Sequence, residues 1–317
     1  MMRNSKKLEN FFAISVGLIV LPLGVLEVAL GRTRLVDIVI LIAFYLPIAF
    51  GITAGYHRLF AHRAFRTTLP IRYGLAILGA AAAQGPLVEW VADHRKHHLY
   101  ADREGDPHSP CRAANARRVQ GVAGFWHAHV GWLLCNQGEA DARVYAADLL
   151  GEPGIRVIDR FNRLWVVVGL AAPTAVGALL FAGWDGAMHG LFWGGLFRAS
   201  LMHHMTFSVN SVCHMVGART FTTPDTSGNV AMLWLPTLGE SWHHNHHRYP
   251  TSAYHGLGWR QPDPTALIIR AAGTLGLAWD IRRFAPSEVG HGGEGSKADD
   301  QSRGLRDSDD EGIDHVS

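Results

Sequence analysis

Cysteine is scarce in this chain. Cys111, Cys135 and Cys213 are the only three among 317 residues, odd in number and without a CxxC pair. That excludes a disulfide framework and a rubredoxin-like or ferredoxin-like centre of the chain's own, and it agrees with a reducing compartment. Excess charge of one sign is also missing. Lys and Arg number 29 against 27 Asp and Glu, a net +2, and no basic stripe forms, so no nucleic-acid partner is expected. No Gly-rich dinucleotide fingerprint follows a strand-like run. Charge is absent from whole stretches as well. Residues 164–182 (LWVVVGLAAPTAVGALLFA) carry none, while 11–30 and 36–54 carry one acid each, Glu27 and Asp37. Each run approaches the roughly 20 residues that cross a hydrocarbon core. A fourth run, about 187–207, is interrupted by Arg198, His203 and His204. The apolar stretch 74–88 is short and reads as a buried or half-inserted helix.

These runs predict an all-α integral membrane protein with four transmembrane helices. The first is read as a span and not a cleaved signal peptide, because no small-residue cleavage site precedes the second. Basic residues set the orientation. Arg3, Lys6 and Lys7 precede the first run, Arg58, Arg63, Arg66 and Arg72 follow the second, and Arg156, Arg160 and Arg163 precede the third. Only Arg32 and Arg34 argue the other way. The positive-inside tendency therefore puts both termini and the polar stretches 55–160 and 208–285 in the cytoplasm, as one helical cap over the membrane stem. Residues 1–285 are expected to form a single domain. From Pro286 the composition turns to Gly, Ser and Asp without aromatics, which predicts a disordered tail over 286–317.

Histidine is what the chain has in pattern. His57 and His62 form one box, His94, His97 and His98 a second, and His243, His246 and His247 a third. The second and third boxes are i, i+3, i+4 series that place three imidazoles on one side of a helix. The five-residue gap of the first is about 500° of α-helical rotation, so it fits only a helix end or a wide angle. A lone histidine is more often a hydrogen-bonded core or surface residue than a ligand. Two copies of one spacing plus a third pair point instead to metal, and eight imidazoles suggest two ions. Ligand type alone leaves zinc, copper, iron and nickel open. A histidine-lined metal or proton transporter is the competing reading, but it would want ionisable groups inside the spans.

The segments GITAGYHRLFAHRAF (51–65), WVADHRKHHLYADREGDPHSP (90–110), HVGWLL (129–134), NSVCH (210–214) and GESWHHNHHRYP (239–250) resemble, in order and separation, the membrane fatty acyl-CoA desaturases of the stearoyl-CoA delta-9 type. The resemblance covers essentially residues 11–280. It implies nine histidine ligands to two irons: His57, His62, His94, His97, His98, His214, His243, His246 and His247. It implies that Asn210 reaches one iron through a water. His214 and Asn210 enter only by the resemblance. Glu240, Asp106 and His244 are read as neighbours standing behind the ligands.

The implied activity is oxygen-dependent insertion of a cis double bond into a saturated long-chain acyl-CoA, with dioxygen as co-substrate and membrane lipid around the stem. A fatty acyl or alkane hydroxylase of the wider membrane di-iron class is the alternative. Electrons are expected from a separate ferredoxin-, rubredoxin- or b-type-cytochrome-like donor with its reductase, because the chain carries no such motif. The basic stretch 112–118 (RAANARR) is a candidate surface for that donor or for coenzyme A phosphates.

Overall fold

In hydrocarbon only a helix or a closed barrel satisfies every backbone N–H and C=O, and the uncharged runs all form helices. The computed structural model describes residues 2–111, 120–135, 139–181 and 183–284. The stretch 112–118 and the tail from Pro286 lie outside them. Helix α1 is Met2–Ala29, and α2 is Leu35–Phe50. The latter runs on without a break as a π-wound segment, Gly51–Ala61. A two-residue strand β1 (Arg66–Thr67) leads to α3 (Leu69–Ala80) and α4 (Leu87–Tyr100). Next come α5 (Gly121–His129) and three short helices, α6 (Ala142–Tyr145), α7 (Ala147–Leu150) and α8 (Pro153–Arg160). Helix α9 is Asn162–Phe181. Helix α10 (Trp184–His189), a second π-wound segment (Gly190–Phe197) and α11 (Arg198–Ser211) follow as one rod. The chain closes with α12 (His243–Arg248), α13 (Pro264–Thr274) and β2 (Ala278–Trp279).

Among the described residues three helices, not four, are long and apolar enough to cross a membrane: Lys6–Ala29, Leu35–Ala61 and Asn162–Phe181. The protein itself covers only 22%, 39% and 17% of their apolar windows, which leaves surface that a bilayer would cover. The expected fourth span is helical from α10 to α11. Its winding changes twice, and Arg198 and His203 are buried within it, so its polarity sets it apart from the other three. Arg198 donates to the carbonyls of Gly194, Ala81 and Gly169 at 3.1, 3.3 and 2.9 Å, tying α11 to α9 and to the end of α3.

Long-range polar contacts hold the histidine-bearing elements. Pro86 cannot cap α4 with a side chain, so the Asp159 carboxylate accepts the Leu87 and Val88 N–H groups at 2.9 and 3.0 Å. A negative group is favourable there because the helix N-terminus is partly positive. Burial, first among its influences, raises Asp159 to about 6. Arg95 of α4 donates to the Phe60 and Ala61 carbonyls at 2.8 and 3.0 Å, satisfying the end of the first π-wound segment. Asn229 caps α12, its Oδ1 accepting from the backbone of His244 and Asn245 at 3.0 and 3.2 Å. Strands β1 and β2 pair antiparallel, Arg66 opposite Trp279, which brings the chain after α13 back beside the first box.

Candidate metal centre

A π-helix closes each turn over five residues, not four. The His62 N–H accordingly donates to the His57 carbonyl at 3.1 Å, and the two imidazole centroids are 4.9 Å apart. The awkward spacing of the first box is one π turn.

The HxxHH helices α4 and α12 behave differently from the expectation of one shared side. On an α-helix, i and i+4 are about 40° apart, whereas i+3 and i+4 are about 100° apart. Each helix therefore serves two places. His94 and His98 of α4 join His57, His62 and His246 in one group, while His97 joins His214, His243 and His247 in another. Within each group the available ligand atoms lie within 4.8 Å of one another. Helix α12 splits in the opposite sense, His243 and His247 to the second group and His246 to the first. His214 ends the short turn after α11, opposite His243.

Nε2 atoms face one another across both groups: His62 to His94 at 2.7 Å, His98 to His246 at 2.9 Å and His57 to His246 at 3.0 Å. In the second group His214 faces His243 at 3.0 Å and His97 faces His247 at 3.4 Å. The outer nitrogens decide what these contacts are. His97 Nδ1 is 3.0 Å from the Asp106 carboxylate and His247 Nδ1 is 3.5 Å from that of Asp225. A nitrogen held by a carboxylate is the protonated one, so the facing Nε2 atoms are bare lone pairs. Two lone pairs that close repel unless a cation lies between them. His57 Nδ1 donates to Glu240, and His214 Nδ1 to Asp102 at 2.9 Å, so the Nε2 atoms of these two rings also point inward as lone pairs. This donor set fits two metal ions.

Burial is the main force on these imidazoles. It holds His94, His98, His243, His246 and His247 well below the ordinary histidine value, with neighbouring histidines adding to the effect. They are neutral at neutral pH, the form that ligates. Burial alone would raise Asp106, but His97 overcomes it and brings the carboxyl down to about 2. Glu240 is also lowered: burial opposes, and His57 and Arg58 prevail.

Arg58 lies inside the first box and is 0% exposed. It donates to Glu240 Oε1 at 2.9 and 3.2 Å, to both Asp263 oxygens at 3.0 Å and to the Ala253 carbonyl at 2.8 Å. Sequence reasoning used it only as a topology marker, and missed Asp225, Asp263 and His255. His255 is fully buried with its ring 4.3 Å from that of His246. No spacing rule links these positions to the boxes. His244, expected behind the ligands, turns elsewhere: its Nε2 accepts the Phe221 N–H at 2.9 Å and its ring stacks on Phe221. A histidine between i and i+3 of a helix projects away from both. His129 pairs with His204 at 3.0 Å and His203 with the Ala82 carbonyl at 3.0 Å, neither in the two groups.

A cleft of about 610 Å³, partly open to solvent, ends on the histidines. Tyr45, Ala49, Ile52 and Thr53 line one wall, Met202, Met205, Thr206, Val209 and Asn210 of α11 the other, and His57, His94, His97 and His243 close it. Its walls are largely apolar.

The family described as "Fatty acid desaturase" matches residues 35–261. A "Hex-5-enoyl-[acyl-carrier protein] acetylenase" of Moorena producens is 42% identical over 248 residues, 78% of this chain and 77% of its own. A "Probable acyl-CoA desaturase" of Schizosaccharomyces pombe is 36% identical over 253 residues, 79% of this chain but only 50% of that longer protein. An "sn-1 stearoyl-lipid 9-desaturase" of Anabaena variabilis is 34% identical over 246 residues, 77% of this chain and 83% of its own.

Proposed function

The chain belongs to the fatty acid desaturase family, and from that premise we propose that it introduces a cis double bond at the delta-9 position of a saturated long-chain acyl-CoA. The observation that carries the reading is the gathering of nine imidazoles in two groups, with His57, His94, His97 and His243 of them lining an apolar cleft. We assign His57, His62, His94, His98 and His246 to one iron and His97, His214, His243 and His247 to the other. Asn210, which lines the cleft, is assigned a water-mediated contact. Such a pair, when bound, supplies the redox chemistry for breaking unactivated C–H bonds, which no side chain can do.

The chain's own residues position and exclude. The cleft walls hold two neighbouring methylenes beside the histidines and keep water from them. Glu240, Asp106, Asp102 and Asp225 fix the tautomers that turn the Nε2 lone pairs inward. The overall balance is one saturated chain, dioxygen, two electrons and two protons to one alkene and two waters, with the electrons from a separate donor protein. The membrane stem, including α10–α11 as its fourth crossing, presents this site to the cytoplasm.

The names of the relatives differ in carrier: acyl carrier protein, coenzyme A and lipid. The test is to supply the purified protein and a donor system with labelled stearoyl groups on each carrier. Oleoyl product from the coenzyme A ester supports the reading. A hydroxy acid as sole product would replace it with the hydroxylase alternative, and product from another carrier alone would move the substrate assignment to that carrier.

A further inference from the structure

The two histidine groups are not backed equally. Behind the four-histidine group stand three carboxylates: Asp102 on His214 at 2.9 Å, Asp106 on His97 at 3.0 Å and Asp225 3.5 Å from His247. Behind the five-histidine group stands one, Glu240 on His57. Among the described residues, His62, His94, His98 and His246 pair with no carboxylate.

Charge compensation does not remove the difference. Glu240 shares the single Arg58 guanidinium with Asp263, so that buried cluster carries one net negative charge. The remaining partners of Asp102 are neutral donors, the Thr226 N–H and hydroxyl at 2.7 and 2.8 Å and the Ser109 hydroxyl at 2.7 Å. Asp106 takes the backbone N–H groups of Asp102 and His108 at 2.8 and 3.0 Å, with the His108 ring nitrogen 4.0 Å away. Asp225 takes the Ser227 N–H at 2.9 Å and the Thr223 hydroxyl at 3.3 Å. No Lys or Arg among the described residues pairs with any of these three side chains; the nearest such contact is the Arg219 guanidinium on the Asp225 main-chain carbonyl at 2.8 Å. Three formal negative charges, each one ring away, thus face one metal position, against one net negative charge in the Glu240–Arg58–Asp263 cluster behind the other.

We propose that Asp102, Asp106 and Asp225 make the four-histidine group the tighter metal position, which retains its ion when the five-histidine group loses its own. The inference rests on the reading of these histidines as iron ligands. A fifth neutral imidazole adds one dipole to a dication. A carboxylate behind an imidazole raises the basicity of the ligating nitrogen and also fixes its orientation. The three aspartates are positioning residues, acting through the histidines they hold.

The experiment takes full-length protein loaded with iron-57 in detergent, adds excess chelator, and follows iron per chain with time alongside Mössbauer spectra. Two phases of equal size are expected, separated by about 10–100-fold, the usual effect of such outer partners on metal affinity. One spectral component disappears in the first phase. Asp102→Asn and Asp106→Asn each accelerate the slow phase and shift the parameters of the component that survives, leaving the fast phase as it was. His98→Ala abolishes the fast phase and keeps the slow one. Loss of both irons in a single phase from the wild-type protein overturns the proposal, and that result needs no variant to fold. So does an Asp→Asn effect confined to the fast phase. Folded, monodisperse protein that takes up no iron overturns the ligand reading itself, a different result from equal release.

Discussion

Arg58 shows what a single residue carries that its neighbours in sequence do not reveal. It sits one position after His57, yet its acidic partners lie 182 and 205 residues further on. The histidines were legible because ligation imposes regular spacings along a helix. Arg58, Asp225 and Asp263 were not, because a buried ion pair imposes no spacing at all. Removing the guanidinium strands Glu240 and Asp263 in a buried site. Arg58→Ala should therefore cost about 3–5 kcal/mol, seen as a lowered unfolding midpoint, and should loosen His57 enough to reduce bound iron. Wild-type stability and iron content in that variant would show that the pair is dispensable.

The buried imidazoles set a pH dependence. Burial holds His94, His98, His246 and His247 below the ordinary imidazole range in the folded state, whereas the unfolded chain protonates near pH 6.5. Below that value the unfolded state binds more protons, so stability falls with falling pH. His97 runs the other way, since Asp106 overcomes the effect of burial on it, but it is outnumbered. The metal-free protein should keep its full stability above pH 6.5 and lose it steadily below. Thermal melts across pH 5.5–7.5 measure this, and a flat profile would contradict it.

At the scale of the element, the apolar runs announced four spans, and three of them are helices long and apolar enough to cross, because hydropathy reports length and surroundings. It does not report winding. Whether a helix closes over four residues or five depends on tertiary contacts, so the π turn between His57 and His62 was invisible in the sequence, and so was the division of each HxxHH box. That winding is set against α3 at very close range. A Cβ on Gly51 would lie 2.3 Å from the Gly79 nitrogen and 2.4 Å from the Leu78 carbonyl carbon, both backbone atoms that cannot swing aside. Gly51→Ala should destabilise the protein by about 1–3 kcal/mol and, by pushing α3 off the π-wound segment, lower iron occupancy. Gly74 of α3 has nothing within 4 Å of its would-be Cβ. There the same substitution should stabilise by about 0.5–1 kcal/mol. Unfolding midpoints that move in the same direction for the two variants would refute the close-approach argument.

At the scale of the whole molecule, the balance of electrons constrains what the chain can do alone. Each double bond formed with dioxygen reduced to water needs two electrons from outside the substrate. The sequence offers no dinucleotide fingerprint and no CxxC pair, and the three cysteines stand far apart. On the proposed reading the candidate redox centre is the pair of histidine groups, which would store electrons for one turnover and receive them from a separate donor. Protein reduced chemically and then given dioxygen and acyl substrate should form at most about one alkene per chain and stop. Adding NADH alone should not restart it, because hydride transfer requires a bound flavin or nicotinamide site. Adding a ferredoxin, rubredoxin or b-type cytochrome with its reductase should give sustained turnover with one of the three. The measurement is product per chain against time by mass spectrometry. Continued turnover on NADH and dioxygen without a partner would mean that this chain holds an electron entry that neither its motifs nor its described residues display.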